Sequence, residues 1–244
     1  MKISVIMPIY NNMEYIKDSI DSILNQTVED FELIIINDGS TQPIQEVLSK
    51  YSDSRIHIFE HGKNIGTPKT LNEAIKISKG DIIARQDSDD ISLPTRFEEE
   101  LKLFKENVEV VSCYGKAISF KGKIISNNYI DKAIRKDPVE SKKAMINNGG
   151  TFILGPAAMF SKKVVEKIGY YDEAVGCGAE DTNYWNRALQ FFDLDVVPKD
   201  LFRYRINPKS MRLVQKDQFG NGPRGKVARR KWVFERSKTH TIIK

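Results

Sequence analysis

Residues 2–40 read "KISVIMPIYNNMEYIKDSIDSILNQTVEDFELIIINDGS", with an apolar run on either side of an amphipathic segment. The runs at 2–10 and 31–40 are rich in β-branched residues and almost free of charge, which is typical of strands buried on both faces. Between them, apolar residues recur at helical spacing, at Ile16, Ile20, Ile23 and Leu24. The stretch therefore predicts a β-α-β unit with parallel strands.

The same alternation continues to residue 86. A helix ("PIQEVLSKYS", 43–52), a strand ("RIHIFEH", 55–61), a helix ("KTLNEAIKIS", 69–78) and a strand ("DIIARQ", 81–86) follow in order. This β-α-β-α-β-α-β order predicts an α/β fold with a Rossmann-like, doubly wound, mostly parallel sheet flanked by helices.

The second half is less regular. Its predicted elements are a helix (93–107), a strand (108–119), a hairpin (120–126), a helix (141–149), a strand and helix (151–169), a helix from about Glu180, and a strand (194–206). We therefore expect one domain over residues 1–212, made of the halves 1–100 and 101–212, and a basic C-terminal extension over 213–244.

Composition excludes several classes. With 244 residues, 40% of them hydrophobic, the chain can bury a core without disulfides. Cys113 and Cys177 are not in a CxxC spacing, which favours free thiols in a reducing cytosol. We expect a cytoplasmic protein without a membrane span, because no apolar run reaches about 18 residues. We interpret the apolar N-terminus as a strand and not as a signal peptide.

Polar clusters follow each strand of the first half: "YNN" (10–12), "NDGS" (37–40), "NIG" (64–66) and "DSDD" (87–90). Ligands of open α/β sheets bind at the carboxyl ends of the strands. The four clusters therefore predict a site at that edge.

Asp87 and Asp89 are two residues apart, so in an extended segment their carboxylates face the same way. Such a pair suits Mg²⁺ or Mn²⁺, which would neutralise a departing diphosphate. The alternative is an Asp-rich turn that caps the helix after it.

Three further residues have two interpretations each. Asp38 can accept a hydrogen bond from a nucleobase or ribose, or serve only as a turn residue. Tyr10 can stack on a base, or only fill the end of the sheet. Asp181 follows a glycine-bearing loop at a predicted helix start, where it can be a general base or a helix cap.

Other site classes lack support. The chain has no GxGxxG and no GxxxxGK[ST], which argues against a dinucleotide dehydrogenase and a P-loop NTPase. None of the three histidines, His57, His61 and His240, lies near a Ser or Cys nucleophile motif.

Six stretches in this order resemble the inverting family-2 glycosyltransferases, and especially the bacterial branch that builds capsules, O-antigens and other surface polysaccharides. They are "VIMPIYNN", "IIINDGST", "NIGTPKTLNEAI", "GDIIARQDSDDISLPTRF", "GPAAMFSKKVVEKIGYYDE" and "GAEDTNYWNRA", and they lie within residues 3–210. The resemblance implies the GT-A fold, with nucleotide binding in 1–100 and acceptor binding in 101–212. It also implies metal-dependent transfer from a UDP-sugar to a glycan or lipid-linked acceptor.

The resemblance also implies residue roles. Nucleotide-sugar binding falls to Pro8, Ile9, Tyr10, Asn11, Asp38, Asn64, Gly66, Asp87, Ser88 and Asp89. Asp89, with Asp87, would hold Mn²⁺ or Mg²⁺, and Asp181 would be the catalytic base. The acceptor side would comprise Glu180, Gly155, Pro156 and Ala157. Arg85 and Arg96 would anchor the site or touch phosphate, and Asp90 would cap or support its neighbours.

The chain departs from the family pattern at two positions. Asn207 stands where many relatives have histidine, and Gly155 lies in a segment that often carries histidine. The first departure motivates an alternative function, a non-catalytic nucleotide-sugar-binding subunit of a polysaccharide-assembly complex. The surviving Asp89 and Asp181 argue against it.

The net charge of +5 is concentrated in the tail, where "KVARRKWVFERSK" (226–238) mixes basic and aromatic residues. Nucleic-acid binding is not expected, because aspartates crowd the predicted site and no recognised motif is present. The tail can contact an anionic membrane carrying a lipid-linked acceptor. Alternatively, its helix packs Trp232 and Phe234 onto the domain.

Overall fold

The computed structural model describes residues 2–126, 142, 153–175, 179–207 and 235–238. The strands are β1 Ile3–Ile9, β2 Phe31–Asn37, β3 Ile56–Glu60, β4 Ile82–Arg85, β5 Ile91–Ser92, β6 Val108–Ser119, β7 Ile124–Ser126, β8 Met159–Ser161 and β9 Asp193–Ile206. The α-helices are α1 Ile16–Leu24, α2 Gln45–Leu48, α3 Thr67–Ile77, α4 Arg96–Leu101, α5 Lys162–Ile168 and α6 Glu180–Ala188. Gly155–Ala157 and Glu173–Val175 form single 3-10 turns.

One sheet contains all these strands, in the order β3-β2-β1-β4-β8-β6-β9-β5, with β7 paired to β6. The strands β1 to β4 are mutually parallel, which confirms the doubly wound first half. In the second half, β8 runs antiparallel to both β4 and β6, while β6 and β9 are parallel. The sheet is therefore mixed but mostly parallel.

Helices cover both faces of the sheet because strand side chains alternate. One core packs α1, α2 and α4 against inward residues of β1 and β2, among them Val5, Met7, Leu33 and Ile35. The opposite core packs α3, α5 and α6 against the alternate positions, among them Ile6, Ile34, Ile36 and Ile83. Both faces of β1 and β2 are therefore buried, which is why these strands are apolar at successive positions.

Two helices are shorter than their sequence patterns predict. The predicted helix over 93–107 forms only at Arg96–Leu101, and the one over 43–52 only at Gln45–Leu48. In both, tighter i to i−3 bonds end the helix, for example from the Leu103 amide to the Glu100 carbonyl.

Several predictions concern residues outside the described ranges: the helix at 141–149, the boundary at 212, Cys177 and most of the basic extension. Residues 235–238 are helical, and Arg236 forms a bidentate ion pair with Asp172, with Nη2 3.0 Å from Oδ1. Cys113 is a buried free thiol. Among the helices of the described part, none is long and apolar enough to cross a membrane.

Candidate active site

The predicted clusters meet at one edge of the sheet. The parallel register places Ile9 beside Asn37 and Ile6 beside Arg85, so the segments after β1, β2 and β4 emerge together. The Asn11 amide donates to Ser40 Oγ at 2.9 Å. Asn12 Nδ2 donates to Ser88 Oγ at 2.9 Å. The clusters after β1, β2 and β4 are thus joined by direct hydrogen bonds.

Asp38 connects the cluster after β3 (residues 64–66) to the cluster after β2. Its buried carboxylate accepts hydrogen bonds from the amides of Ile65 (2.8 Å) and Gly66 (2.9 Å) and contacts His61 Nδ1 at 2.9 Å. Gly39 makes this contact possible, because its φ is +66° and a Cβ there would lie 2.3 Å from the Lys63 carbonyl carbon. The turn after β2 therefore packs directly on the loop after β3.

The remaining nucleotide-site candidates differ in exposure. Pro8 and Tyr10 are partly exposed at the sheet edge, Asn64 is exposed, and Ile9 belongs to the core. Asn11 has a φ of 63°, and its Oδ1 accepts from the Thr41 amide at 2.8 Å. The side chain of Asn11 is therefore used to shape the loop.

The three aspartates after β4 face different surroundings. Asp87 and Asp89 are partly exposed, whereas Asp90 is buried and its Oδ1 accepts from the Arg205 amide at 2.7 Å. Burial, followed by the charge of Asp87, raises the pKa of Asp89 to about 6. Burial likewise raises the pKa of Asp90 well above its ordinary value. Asp90 supports the loop, and Asp87 and Asp89 are the two aspartates of the loop that solvent can reach.

The donor set after β4 suits a hard divalent cation bound together with a phosphate. Within the described ranges no cluster of three or more His, Cys, Asp or Glu could hold a metal alone. Asp87 and Asp89 each offer a carboxylate as oxygen donor. The charge of Asp87 makes ionisation of Asp89 less favourable, which contributes to the raised pKa of Asp89. Mg²⁺ usually keeps waters and takes one or two carboxylates plus substrate phosphates. The residues therefore fit Mg²⁺ or Mn²⁺ as part of a ternary site.

The end of β9 completes this loop. Asn207 Nδ2 lies 3.4 Å from both Asp89 Oδ2 and Asn12 Oδ1. Arg205 Nε donates to the Asp89 carbonyl at 2.7 Å. Sequence reasoning missed Arg205, although a charged residue between the apolar positions of a predicted strand was an available signal.

The candidate base lies at the start of α6, connected through Arg85 and Glu180 to the aspartate loop. Glu180 and Asp181 begin α6, and Asp181 Oδ1 accepts from the Thr182 amide at 2.6 Å. Arg85 makes this connection, because its Nε donates to Asp87 Oδ1 at 3.1 Å and its Nη2 to Glu180 Oε1 at 3.2 Å. Burial and the adjacent Asp181 raise the pKa of Glu180.

Gly155 packs against this group. A Cβ on Gly155 would lie 2.7 Å from Asp181 Oδ2 and 3.4 Å from Arg85 Nη1. Pro156 and Ala157 are buried in the same 3-10 turn. Gly155, a predicted acceptor-side residue, therefore directly borders the Asp181 carboxylate.

Arg96 is buried behind the backbone of the aspartate loop and is not exposed to solvent. Its side chain is fully buried and donates to Gln86 Oε1 (3.3 Å), the Arg85 carbonyl (3.2 Å) and Glu100 Oε2 (3.1 Å). Gln86 Nε2 in turn donates to the Asp90 carbonyl at 2.9 Å. Arg96 therefore holds the backbone from which the aspartate loop starts.

Two chemical functions are compatible with this arrangement. Asp87 and Asp89 would hold a cation that neutralises a diphosphate. A carboxylate at the start of α6 would accept a proton.

Comparisons with known proteins identify the family of the chain. The model described as "Glycosyl transferase family 2" matches residues 4–169. The O-antigen biosynthesis glycosyltransferase WbnJ of Escherichia coli is 36% identical over 216 residues, 85% of this chain and 81% of WbnJ. The uncharacterized glycosyltransferase MJ1057 of Methanocaldococcus jannaschii is 31% identical over 84% of this chain and 70% of its own length. The chain spans 31% of a Rickettsia bellii relative.

Solved structures show the same fold. S. aureus TarS 1-349 in complex with UDP-GlcNAc has a TM-score of 0.70 at 17% identity, covering 98% of this chain and 72% of that chain. The mannosyltransferase PcManGT from Pyrobaculum calidifontis, in complex with GDP-Man and Mn²⁺, has a TM-score of 0.65 at 16% identity, covering 98% and 73%. The chain therefore belongs to glycosyl transferase family 2 and is a glycosyltransferase with the GT-A fold.

Proposed function

We propose that this chain is a metal-dependent, inverting transferase that moves a sugar from a UDP-sugar to a glycan or lipid-linked acceptor in surface polysaccharide synthesis. The observation that carries the proposal is the Arg85 bridge, which joins Asp87 at 3.1 Å and Glu180 at 3.2 Å. Through it, Asp87 on the donor side is linked to Glu180, the residue next to the candidate base Asp181.

In this proposal the residues after β4 hold the donor. Asp87 and Asp89 bind Mn²⁺ or Mg²⁺, with Asn207 donating to Asp89 from 3.4 Å. The cation, when bound, stabilises the negative charge that develops on the leaving diphosphate. Arg205 and Asp90 keep the loop in place, through the 2.7 Å bond from the Arg205 amide to Asp90.

Asp181 acts as the base. Its carboxylate takes the proton of an acceptor hydroxyl as that oxygen bonds to the anomeric carbon, while the bond from this carbon to the diphosphate oxygen breaks. A single displacement from the opposite face inverts the anomeric centre, through an oxocarbenium-like transition state.

The comparisons support a nucleotide-sugar donor, but they include both uridine and guanosine nucleotides. TarS is described in complexes with UDP and UDP-GlcNAc, and PcManGT with GDP-Man. We infer a uridine donor with Asp38 and Tyr10 at the nucleoside. The name of WbnJ supports an acceptor in O-antigen or related polysaccharide synthesis.

The test is release of nucleoside diphosphate from a panel of nucleotide sugars by the purified protein with Mn²⁺ and lipid-linked or glycan acceptors. Asp181→Asn should abolish release while UDP binding by calorimetry stays near the wild-type value. Wild-type protein that binds UDP-sugars but never releases UDP would instead indicate the non-catalytic subunit. Transfer by Asp181→Asn at the wild-type rate would show that another group is the base.

A further inference from the structure

His61 lies between two carboxylates, outside the residues assigned above to catalysis. Its Nδ1 is 2.9 Å from Asp38 Oδ1, and its Nε2 is 2.8 Å from Glu73 Oε2. A carboxylate only accepts hydrogen bonds, so both contacts require N–H groups, and only the imidazolium carries two. Asp38 follows β2, and Glu73 lies on α3.

The surroundings of His61 agree with that protonation state. Burial lowers the pKa of His61, but the hydrogen bonds and charges of Asp38 and Glu73 outweigh it and raise the pKa above its ordinary value. Among the described residues, these two carboxylates are the titratable groups that interact with the ring. The neighbouring Glu60 is occupied by Asn37 Nδ2 at 2.9 Å and Gln45 Nε2 at 3.2 Å.

The contact between His61 and Asp38 fixes the orientation of the Asp38 carboxylate. In the described part of the chain, Oδ1 accepts from His61 and the Ile65 amide, while Oδ2 accepts only from the Gly66 amide. A carboxylate oxygen has two acceptor positions, so one remains on Oδ2. The proposed function assigns this acceptor position to the imide N–H of uracil, the base inferred for the donor.

We propose that His61 is a positioning residue of the nucleoside subsite: by donating to Asp38 and Glu73 together, it holds the Asp38 carboxylate ready for the base. The inference rests on the proposed function, because it requires a nucleotide at Asp38. It adds a residue outside the aspartate loop and the start of α6, and it makes donor binding depend on the charge of one histidine.

The direction of the pH dependence follows from the chemistry. Below the pKa of His61 both ring nitrogens donate, and Asp38 stays oriented. When pH rises through that pKa, which lies above the ordinary value of 6.5, one nitrogen becomes an acceptor facing a carboxylate. The two lone pairs repel, so the nucleotide should bind more weakly on the alkaline side.

The experiment measures the Kd of UDP, and of GDP as a second probe, by calorimetry with Mn²⁺ from about pH 6 to about pH 9. Wild-type Kd for UDP should rise about tenfold across the titration, as for the loss of one charge-assisted hydrogen bond. His61→Gln should bind UDP about tenfold more weakly at acidic pH and lose this step. Glu73→Gln should still show the pH-dependent rise in Kd, but at lower pH. The substitution removes one of the two negative charges that raise the pKa of His61.

Matched controls separate positioning from stability. His57→Gln removes a histidine on β3 whose Nε2 is 3.7 Å from Glu32, and its UDP profile should match wild type. Since the chain has three histidines, the His61 imidazole signal in NMR can be assigned from His61→Gln, and its pKa measured in Glu73→Gln. An identical pH profile in wild type and His61→Gln would overturn the inference alone. Failure of both nucleotides to bind wild type at any pH would overturn the proposed function as well.

Discussion

At the scale of single residues, Gly155 matters because the Asp181 carboxylate leaves no room for a side chain there. A Cβ on Gly155 would lie 2.7 Å from Asp181 Oδ2, closer than real Cβ contacts allow. We expect Gly155→Ala to displace the Asp181 carboxylate and lower kcat about a hundredfold, since misplacing a catalytic group by about 1 Å has that effect. Steady-state kinetics with a UDP-sugar would measure kcat.

The matched control is Gly62→Ala, where an added Cβ meets nothing within 4 Å. UDP affinity should be unchanged in both variants, because Gly155 borders the base and not the aspartate loop. A Gly155→Ala enzyme with wild-type kcat would mean that Asp181 is not the group whose position limits transfer.

Asn207 is a second residue whose identity sets a property of the site. Its Nδ2 is 3.4 Å from Asp89 Oδ2, and the family resemblance leads us to expect histidine at position 207. We expect Asn207→His to lower the Mn²⁺ concentration for half-maximal transfer about tenfold, because groups beside a metal ligand typically tune affinity by that much. Titration of transfer rate against Mn²⁺ measures it, and an unchanged half-maximal concentration would remove Asn207 from the metal site.

At the scale of elements, α4 carries a fully buried ion pair under the aspartate loop. Arg96 Nε is 3.1 Å from Glu100 Oε2, and burial nevertheless raises the pKa of Glu100 to about 7. A carboxyl whose folded pKa exceeds its unfolded value contributes stability that is complete below about pH 4.5 and is lost as pH rises through the folded pKa.

We therefore expect wild-type protein to lose on the order of 3 kcal/mol of unfolding free energy between about pH 4.5 and about pH 8 through Glu100 alone. Glu100→Gln lacks that titration, so its stability should fall less over the same interval. Urea unfolding of both proteins at several pH values measures the difference. Parallel pH curves for wild type and Glu100→Gln would show that Glu100 keeps an ordinary pKa.

The elements themselves were predictable to different extents. Apolar runs such as Ile3–Ile9 are long and uninterrupted, so the strands of the parallel half could be read directly from them. The direction of β8 could not, because Met159–Ser161 is three residues long and its antiparallel pairing depends on neighbours far along the chain. Helix lengths were overestimated at α2 and α4, because both helices end in tighter i to i−3 bonds that residue propensities do not report.

The site was predictable where it lies near strand ends and not where distant segments meet. Asp87, Asp89 and Asp38 follow strands directly, and their placement at one edge follows from parallel topology. The contact of Arg205 with Asp90 spans 115 residues and depends on the pairing of β9 with β6. No local pattern reports such a contact.

At the scale of the whole molecule, charge is distributed so that acidic residues face the site and basic residues concentrate near the C-terminus. Asp87, Asp89 and Asp181 lie at the sheet edge, while residues 226–231 include four basic side chains, Lys226, Arg229, Arg230 and Lys231. Arg236 is different, because it is paired with Asp172. The remaining cations are the ones for which the sequence predicts contact with an anionic membrane that carries a lipid-linked acceptor.

We expect Arg229→Gln/Arg230→Gln to weaken binding to phosphatidylserine vesicles roughly thirtyfold, from about 1 kcal/mol per basic residue near a charged surface. The matched control is Lys50→Gln/Lys69→Gln, which removes two exposed lysines of the first half and should sediment like wild type. Vesicle sedimentation at low and high salt measures both, and binding of wild type should fall with salt because the attraction is screened. If the two double variants lose binding equally, net charge and not the tail determines membrane contact. If neither changes, the tail has no membrane role.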